Sequence, residues 1–189
     1  MALLPDCRDG VGVTGVRLRL AAAVAVVVVA GLLAASAFAT ARSEKTLRAV
    51  NTGVLAAVNR FRASHGLARL RESRGLDRSA RQHSLEMGRD GYFSHSSANG
   101  IVFWRRIQHY FRSSSYSYWS VGENLVWAAP SVSAGAALRM WIGSPEHLRN
   151  LLSPQWRSIG VSAVHVVRAP GVFHGRPVTI ITADFGVRR

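Results

Sequence analysis

The amino-acid sequence predicts an α+β domain of layered architecture, preceded by one N-terminal apolar helix. Two observations give the fold class: apolar residues recur at helical spacing through the first part of the domain, and they alternate with a period of two near the C-terminus. A third observation, an uninterrupted apolar run over residues 20–41, gives the preceding helix. Helices that come first, with strands concentrated late, are typical of an α+β fold.

The apolar run has the length and the flanks of an export segment. Residues 20–41 contain no charged side chain and could cross a bilayer as a helix, and three arginines in residues 1–19 precede them. Small residues crowd the end of the run, so we predict an n-region at 1–19 and a signal peptide cleaved near Ala41. If cleavage does not occur, the same run is a single-pass transmembrane anchor. Either alternative puts the following domain outside, extracellular or in the cell envelope. A buried core helix is disfavoured because no polar face interrupts the run.

The charge balance of the chain is strongly basic. The net charge is +14, and residues 42–189 alone carry 21 basic and 8 acidic residues, a net charge of +13. The arginines are scattered over the predicted helices, where solvated faces account for most of them, so we expect no nucleic-acid partner. An anionic membrane surface or wall polymer is the electrostatic partner that an exported basic domain would meet.

The single cysteine, Cys7, lies ahead of the apolar run. The exported domain therefore has no disulfide and no thiol chemistry, and its stability must come from packing.

Two helices open the domain, which we place at residues 47–189. Apolar residues at helical spacing predict the first helix over about 47–64, followed by Gly66. A second stripe ends at Gly88 or Gly91 and consists of Leu76, Ala80, His83 and Met87. Because His83 lies within this stripe, a core histidine is the favoured interpretation over a ligand.

Three further helical segments follow. The third is predicted from Ile101 to Phe111, with Trp104, Ile107, Gln108 and Phe111 on one side. After the loop-like "SSSYSYWS", Ser131 or Ser133 could cap a fourth helix that runs to Trp141. The stretch "WIGSPEHLRN" starts another, with Ser144 as N-cap, Pro145 in the first position and Glu146 at the positive end of the helix dipole.

The C-terminal part predicts an antiparallel β-hairpin. "SIGVSAVHVV" alternates apolar residues on one face, from Ile159 to Val167, and "PVTIITADFG" is a second β-rich run. The connection "RAPGVFHGR" contains two glycines and a proline, as hairpin connections commonly do.

Three separated polar residues carry what chemistry the sequence offers. The chain has no Gly-x-Ser-x-Gly, His-Glu-x-x-His or Cys-x-x-Cys motif. His95, Glu123 and His147 remain, each at the edge of a predicted element, where loops present side chains to a cleft. Two imidazoles and a carboxylate could bind a divalent cation with an open position, or could form a hydrogen-bonded knot that joins three loops. The flanking Gly122 and Asn124 predict a tight turn around Glu123.

Several short motifs give the domain a resemblance to a known family. "GYFSH", "GENL", "W-x-x-S-P-x-H-x-x-N-L-L", "IGV" and "T-x-D-F-G" occur in this order over about residues 50–186. The pattern resembles the CAP superfamily, which comprises the cysteine-rich secretory, antigen 5 and pathogenesis-related 1 proteins, and in particular the bacterial, disulfide-free branch of its SCP domain.

The resemblance implies a fold and a site. It implies a three-layer α-β-α sandwich with a central antiparallel sheet and a shallow cleft lined by two histidines and two glutamates that can bind divalent metal. His95 and His147 match the histidines and Glu123 matches one glutamate, whereas Ser144 stands where the second would be. Adjacent residues at a helix start point in different directions, so Glu146 is not expected to replace it.

The functional hypotheses follow from this incomplete site. The first is a non-enzymatic module that binds a lipid or cell-wall ligand in the cleft, with His95, Glu123, His147, Asn124 and Ser144 as binding residues. The alternative is a metal-dependent hydrolase or peptidase, in which His95, His147 and Glu123 hold zinc, magnesium or calcium and activate water. A surface structural protein, in which these residues only brace the cleft, is the third. The sequence requires no cofactor, names no catalytic residue and leaves the oligomeric state open.

Overall fold

A computed structural model describes residues 44–189 of the chain, so the predicted n-region and the apolar segment at 20–41 lie outside the described residues. The helices are α1 (Arg48–Ser64), α2 (Arg74–Asp90), α3 (Phe103–Tyr110), α4 (Ala134–Ile142) and α5 (Pro145–Leu152). The strands are β1 (Glu44–Thr46), β2 (Arg71–Glu72), β3 (Trp119–Ala128), β4 (Ser158–Ala169) and β5 (Arg176–Arg188). Among helices within residues 44–189, none has both the length and the apolar character needed to span a membrane.

The sheet is built around the long β4–β5 hairpin. The strand order is β1-β4-β5-β3 with antiparallel pairing, and the short β2 pairs with β4 in parallel. The connection between β4 and β5 contains a 3-10 turn at Gly171–Phe173. The predicted hairpin is therefore confirmed, and β3 is an outer strand of the described sheet.

Helices cover both faces of this sheet. On one face, α1, α4 and α5 pack Val58, Trp141 and Leu151 against a cluster that includes Ile159 and Phe185. On the other face, α2 and α3 bury their apolar side chains against the sheet. The buried residues of this layer include Leu76, Met87 and Ile107 from the helices and Leu125, Val164 and Ile180 from the strands. The three-layer α-β-α sandwich with a central antiparallel sheet is therefore confirmed.

Burial of both sheet faces explains why β4 is apolar on both sides. The predicted inward face, which begins at Ile159 and Val161, packs under α1, while Val164 and Val166 pack under α2. Gly160 leaves no room for a side chain, because a Cβ there would lie within 2.2 Å of the backbone nitrogen of Asp77. This close approach lets the first turn of α2 lie directly on the sheet.

The predicted helix starts are confirmed, although one predicted cap and one predicted helix face differ from the structure. Ser133 caps α4, where its hydroxyl accepts a hydrogen bond from the backbone nitrogen of Ala136. Ser144 occupies the N-cap position of α5 and Pro145 its first position, but the Ser144 side chain makes no capping hydrogen bond. Trp104, predicted on one side of α3 with Ile107 and Phe111, is 40% exposed, whereas those two residues are buried. The inward residue that sequence periodicity did not identify is Arg106.

The predicted turn around Glu123 is also wrong. Gly122, Glu123 and Asn124 lie in the middle of β3 and pair with β5. The glycine is needed for packing and not for its backbone torsions: a Cβ on Gly122 would lie 2.9 Å from both Asn150 Oδ1 and a ring carbon of Trp156.

Candidate functional site

A cleft lies along the outer strand β3, where the two helical layers meet. His95 comes from the loop between α2 and α3, Glu123 from β3, and His147 from the first turn of α5. These three residues line one cavity of about 320 Å³, together with Phe103, Val121, Gly122, Glu146, Arg149 and Asn150. The structure thus brings the three polar residues singled out in the sequence into one site.

His95 and Glu123 form a hydrogen-bonded pair at the floor of the cleft. Nδ1 of His95 lies 2.7 Å from Oε1 of Glu123. The carboxylate is 1% exposed, whereas the imidazole is 51% exposed, so Glu123 holds the ring from below. A hydrogen on Nδ1 that donates to the carboxylate leaves Nε2 as the lone-pair nitrogen of the ring.

A buried arginine, Arg106, contacts both members of this pair. The Nη2 atom of Arg106 donates to Oε2 of Glu123, and its Nη1 donates to the backbone oxygen of His95 at 3.2 Å. Arg106 therefore fixes both the carboxylate and the loop that carries the histidine. Its position in the sequence gives one signal: Phe103, Arg106 and Tyr110 have helical spacing with the buried Ile107.

A second carboxyl lies beside Glu123. Asp184 is the cross-strand partner of Glu123 in β5 and is completely buried. The hydroxyl of Ser79 adjoins it, but neither carboxyl oxygen has a hydrogen-bond partner of normal geometry within the described residues. Burial, followed by the charge of Glu123, raises the pKa of Asp184 well above its ordinary value. This residue lies in the recognised "T-x-D-F-G" motif, and its sequence gives no sign that it faces Glu123.

Burial also dominates the titration of the other groups at the site. It raises the pKa of Glu123 to about 7, although Arg106 opposes the shift. Burial and the positive Arg106 lower the pKa of His95, and burial and His95 lower that of His147. The predicted core histidine, His83, is fully buried, and its Nε2 donates to the backbone oxygen of Ser94 at 2.8 Å. Its pKa is lowered to about 3, chiefly by burial. The two cleft histidines therefore favour the neutral form.

Glu146, which is not expected to replace the second glutamate, also lies in the cleft. It lines the same cavity as His147 and His95, and its charge raises the pKa of both imidazoles against the effect of burial. Its side chain is exposed, so Glu146 acts on the two imidazoles through the electrostatic attraction of its charge and not through a buried ion pair.

Asn124 positions the site from behind the sheet. It is fully buried, and its prediction as a binding residue of the cleft stays a prediction. Its Nδ2 donates to the backbone oxygen of His147 at 3.0 Å, and its Oδ1 accepts from Asn150 at 2.9 Å. Asn150 also donates to the outward carbonyl of Glu123, and Trp141 Nε1 donates to that of Leu125. These hydrogen bonds give two backbone carbonyls on the outer edge of β3 a partner, and those of Asn150 and Asn124 fix α5 above the strand.

An apolar pocket adjoins the polar cleft. It has a volume of about 260 Å³ and is lined by Phe93, Leu125, Val126, Trp127, Met140, Trp141, Ser144 and His147. His147 lines both cavities, so polar and apolar surfaces continue into each other along β3. Ser144, at the position of the missing glutamate, lies in the apolar part.

The donor atoms do not fit the predicted three-ligand metal site. Within residues 44–189, no group of three or more His, Cys, Asp or Glu side chains is arranged to hold a metal ion. The reason is the position of Glu123, because one of its oxygens pairs with His95 and the other with Arg106. The imidazoles of His95 and His147 remain, with ring centroids 6.5 Å apart. Metal binding by these two histidines alone stays a prediction.

The comparison with sequence relatives agrees with the motifs. The model of the cysteine-rich secretory protein family, CAP, matches residues 55–169. An uncharacterized protein of Bacillus subtilis strain 168, YkwD, is 29% identical over 126 residues, which are 66% of this chain and 46% of YkwD. The chain therefore spans about half the length of this relative.

Solved structures show the same fold. An extracellular SCP-domain protein from Bacillus anthracis aligns with a TM-score of 0.58 and 25% identity over 75% of this chain and 41% of its own. An outer surface protein from Borrelia burgdorferi aligns with a TM-score of 0.64 and 17% identity over 77% of this chain and 98% of its own. Together with the family match over more than half of the sequence, these likenesses establish that the chain belongs to the cysteine-rich secretory protein family, the CAP superfamily.

Proposed function

We propose that this protein is an exported or membrane-anchored CAP domain that binds a lipid or another amphiphilic ligand of the cell envelope without transforming it. One observation carries the proposal: the polar cleft and the apolar pocket share His147 and follow the same strand. A ligand with a polar group at His95 and an apolar chain against Phe93, Trp127 and Met140 would match both surfaces.

The chemistry of the two surfaces supports an amphiphile. In the polar part, neutral imidazoles, Arg149 and Asn150 offer hydrogen-bond donors and acceptors to a headgroup. In the apolar part, Phe93 and Met140 are partly exposed, and an acyl chain would remove them from water. Together the cavities are of the size of small-ligand sites.

Export is supported from two sides. The described domain follows a charge-free run of 22 residues, Leu20 to Ala41, with a basic flank. Two similar solved structures are described as an extracellular protein and an outer surface protein. N-terminal sequencing of the exported protein distinguishes the two routes: a start after Ala41 indicates a cleaved signal, and an intact Met1 in the membrane fraction indicates an anchor.

The ligand is tested by native mass spectrometry of the full chain released from detergent micelles. We expect a lipid adduct, retained by the wild type and by Ile142→Asp, and reduced about tenfold by Met140→Asp, which places a charge in the apolar pocket. Ile142 lies on the same helix and is also partly exposed, so it is a matched control. Absence of any adduct, with no shift in melting temperature on adding lipid extract or wall fragments, refutes the proposal.

The hydrolase or peptidase hypothesis draws on the His95–Glu123 pair, because a carboxylate that orients an imidazole prepares its other nitrogen for proton transfer. The hypothesis requires a nucleophile or an activated water at that nitrogen. Calorimetry with zinc, magnesium and calcium tests the metal-dependent form. It is lost if no ion binds and if His95→Ala lowers the melting temperature without changing any hydrolytic rate.

A further inference from the structure

Three nearly consecutive apolar side chains protrude beside the cleft. Ile101 is 44% exposed, Val102 38% and Trp104 40%, and Phe103 between them turns inward to the cleft. We propose that Ile101, Val102 and Trp104, named here the interfacial patch, insert into the headgroup region of an anionic lipid surface. Trp and aliphatic side chains at a polar boundary are characteristic of such contacts.

The backbone holds the interfacial patch in an ordered conformation. Ser97 N donates to Ile101 O at 2.9 Å, Gly100 N donates to Ser97 O at 2.9 Å, and Ile101 N donates to Asn99 Oδ1 at 3.1 Å. Val102 is the N-cap of α3, so the next residues continue directly into a helix. The loop therefore keeps apolar side chains in water with a fixed shape, which favours insertion as a preformed unit.

The segment that carries the interfacial patch is basic, which favours an anionic surface, and the one exposed acid that lines the cleft together with Phe103 is Glu146 of α5. No acidic residue occurs between Asp90 and Glu123, whereas Arg105 and Arg112 are both exposed in this interval. The guanidinium of Arg105 stacks on Trp104, with its carbon 5.2 Å from the ring centroid. A lipid phosphate could pair with Arg105 while Trp104 enters the headgroup layer.

The interfacial patch leads directly to the candidate ligand site. The Phe103 ring lies 6.2 Å from the imidazole of His95 and lines the cleft. A membrane that contacts Ile101 and Trp104 therefore lies next to the cleft mouth, and a lipid could pass between the two. This last step rests on the proposed function, whereas docking of the interfacial patch does not.

The test measures how deep one label lies in the bilayer. The full chain carries Cys7→Ser, which removes its single thiol, and Val102→Cys, which receives an environment-sensitive fluorophore. It is reconstituted in vesicles of equal parts phosphatidylglycerol and phosphatidylcholine that contain lipids with a nitroxide quencher near the headgroup. We expect severalfold stronger quenching at position 102 than at a control label placed by Arg60→Cys, an exposed position on α1 in the opposite helical layer. Vesicles of phosphatidylcholine alone should quench position 102 less.

Matched variants separate this docking from general hydrophobicity. Ile101→Ser combined with Trp104→Ser should lower docking about tenfold, because both side chains leave water on insertion. Val167→Ser combined with Val172→Ser removes two apolar side chains elsewhere that are somewhat more exposed than Ile101 and Trp104, and it should not change docking. Equal quenching at positions 102 and 60, or docking that survives the Ile101 and Trp104 changes, overturns the proposal. The lipid adduct in mass spectrometry reports separately on ligand binding in the cleft. If Met140→Asp loses the adduct but still shows strong quenching at position 102, the interfacial patch docks on the membrane independently of the cleft.

Discussion

The guanidinium of Arg106 forms a buried ion pair with the carboxylate of Glu123, and the carboxyl of Asp184 lies directly across the strand pair from Glu123. Two buried acids thus share one buried cation. If both were ionised, one negative charge would remain without a partner in a region of low dielectric constant. One carboxyl therefore keeps its proton near neutral pH, and the two titrate as a coupled pair.

Replacing Arg106 should be strongly destabilising. Arg106→Leu leaves Glu123 buried without its cation, and the loss of one partner from a buried pair costs about 3–5 kcal/mol of unfolding free energy. Urea unfolding at neutral pH measures this loss. Arg105→Leu, an exposed neighbour, should change stability by less than about 0.5 kcal/mol.

A double variant identifies the cause of that loss. Arg106→Leu with Glu123→Gln removes the charge together with the cation and should recover part of the stability, because no uncompensated carboxylate remains. If the double variant is as unstable as the sum of its two single variants, the destabilisation comes from packing and not from the charge.

Removing the Asp184 charge should change the pH dependence of stability. Burial raises the pKa of Asp184 above 3.8, its ordinary value, so the folded state keeps a proton that the unfolded state has already lost. The wild type therefore loses stability as the pH rises from 3.8 towards the raised pKa that Asp184 has in the folded state. Asp184→Asn lacks this loss, so its unfolding free energy minus that of the wild type should increase from about pH 4 to about pH 8. A difference that stays flat or falls in urea titrations contradicts the shift.

Glu146→Gln should lower the pKa of both cleft histidines. The charge of Glu146 raises the pKa of His95 and of His147, although burial keeps both below the ordinary 6.5. Removing that charge leaves the downward effects unopposed, so both imidazoles should protonate at lower pH than in the wild type. Proton chemical shifts of the imidazole rings measure the two titrations. His83, with a pKa of about 3, is the internal reference, and equal titration in both proteins refutes the role of Glu146.

Helical spacing and alternation sufficed for the layers of the fold, but not for the face of a short helix. The α3 helix has only 8 residues, so two stripes one residue apart fit its sequence about equally well. Grouping Trp104 with Ile107 and Phe111 follows hydrophobicity, whereas the fold buries Arg106 because Glu123 supplies this arginine with a partner. The turn predicted at Gly122 was wrong for a similar reason, since the sequence does not distinguish a glycine needed for close packing from a glycine needed for a turn.

The convergence of His95, Glu123 and His147 could be expected from the family motifs, because each belongs to a separate recognisable stretch. The helical spacing of Arg106 with Ile107 is consistent with an inward side chain, but the partners of Arg106 and Asp184 could not be expected, since they face these residues only in the folded chain. Their pairing depends on the register of β3 with β5 and on the docking of α3, neither of which local sequence determines. The apolar pocket was missed for the same reason: Phe93, Trp127 and Met140 come from three separate elements.

Gly122→Ala tests whether the central motif is needed for packing. The added methyl would lie 2.9 Å from Asn150 Oδ1 and from the Trp156 ring, both held by hydrogen bonds, so the neighbours must shift. We expect a loss of about 1–3 kcal/mol in unfolding free energy, the usual cost of overpacking. Gly135→Ala in α4 is the control, because its methyl would meet nothing closer than 3.6 Å and alanine favours a helix, so stability should be equal or higher. If Gly122→Ala unfolds at the same denaturant concentration as the wild type, Gly122 is not required for the contact between β3 and α5.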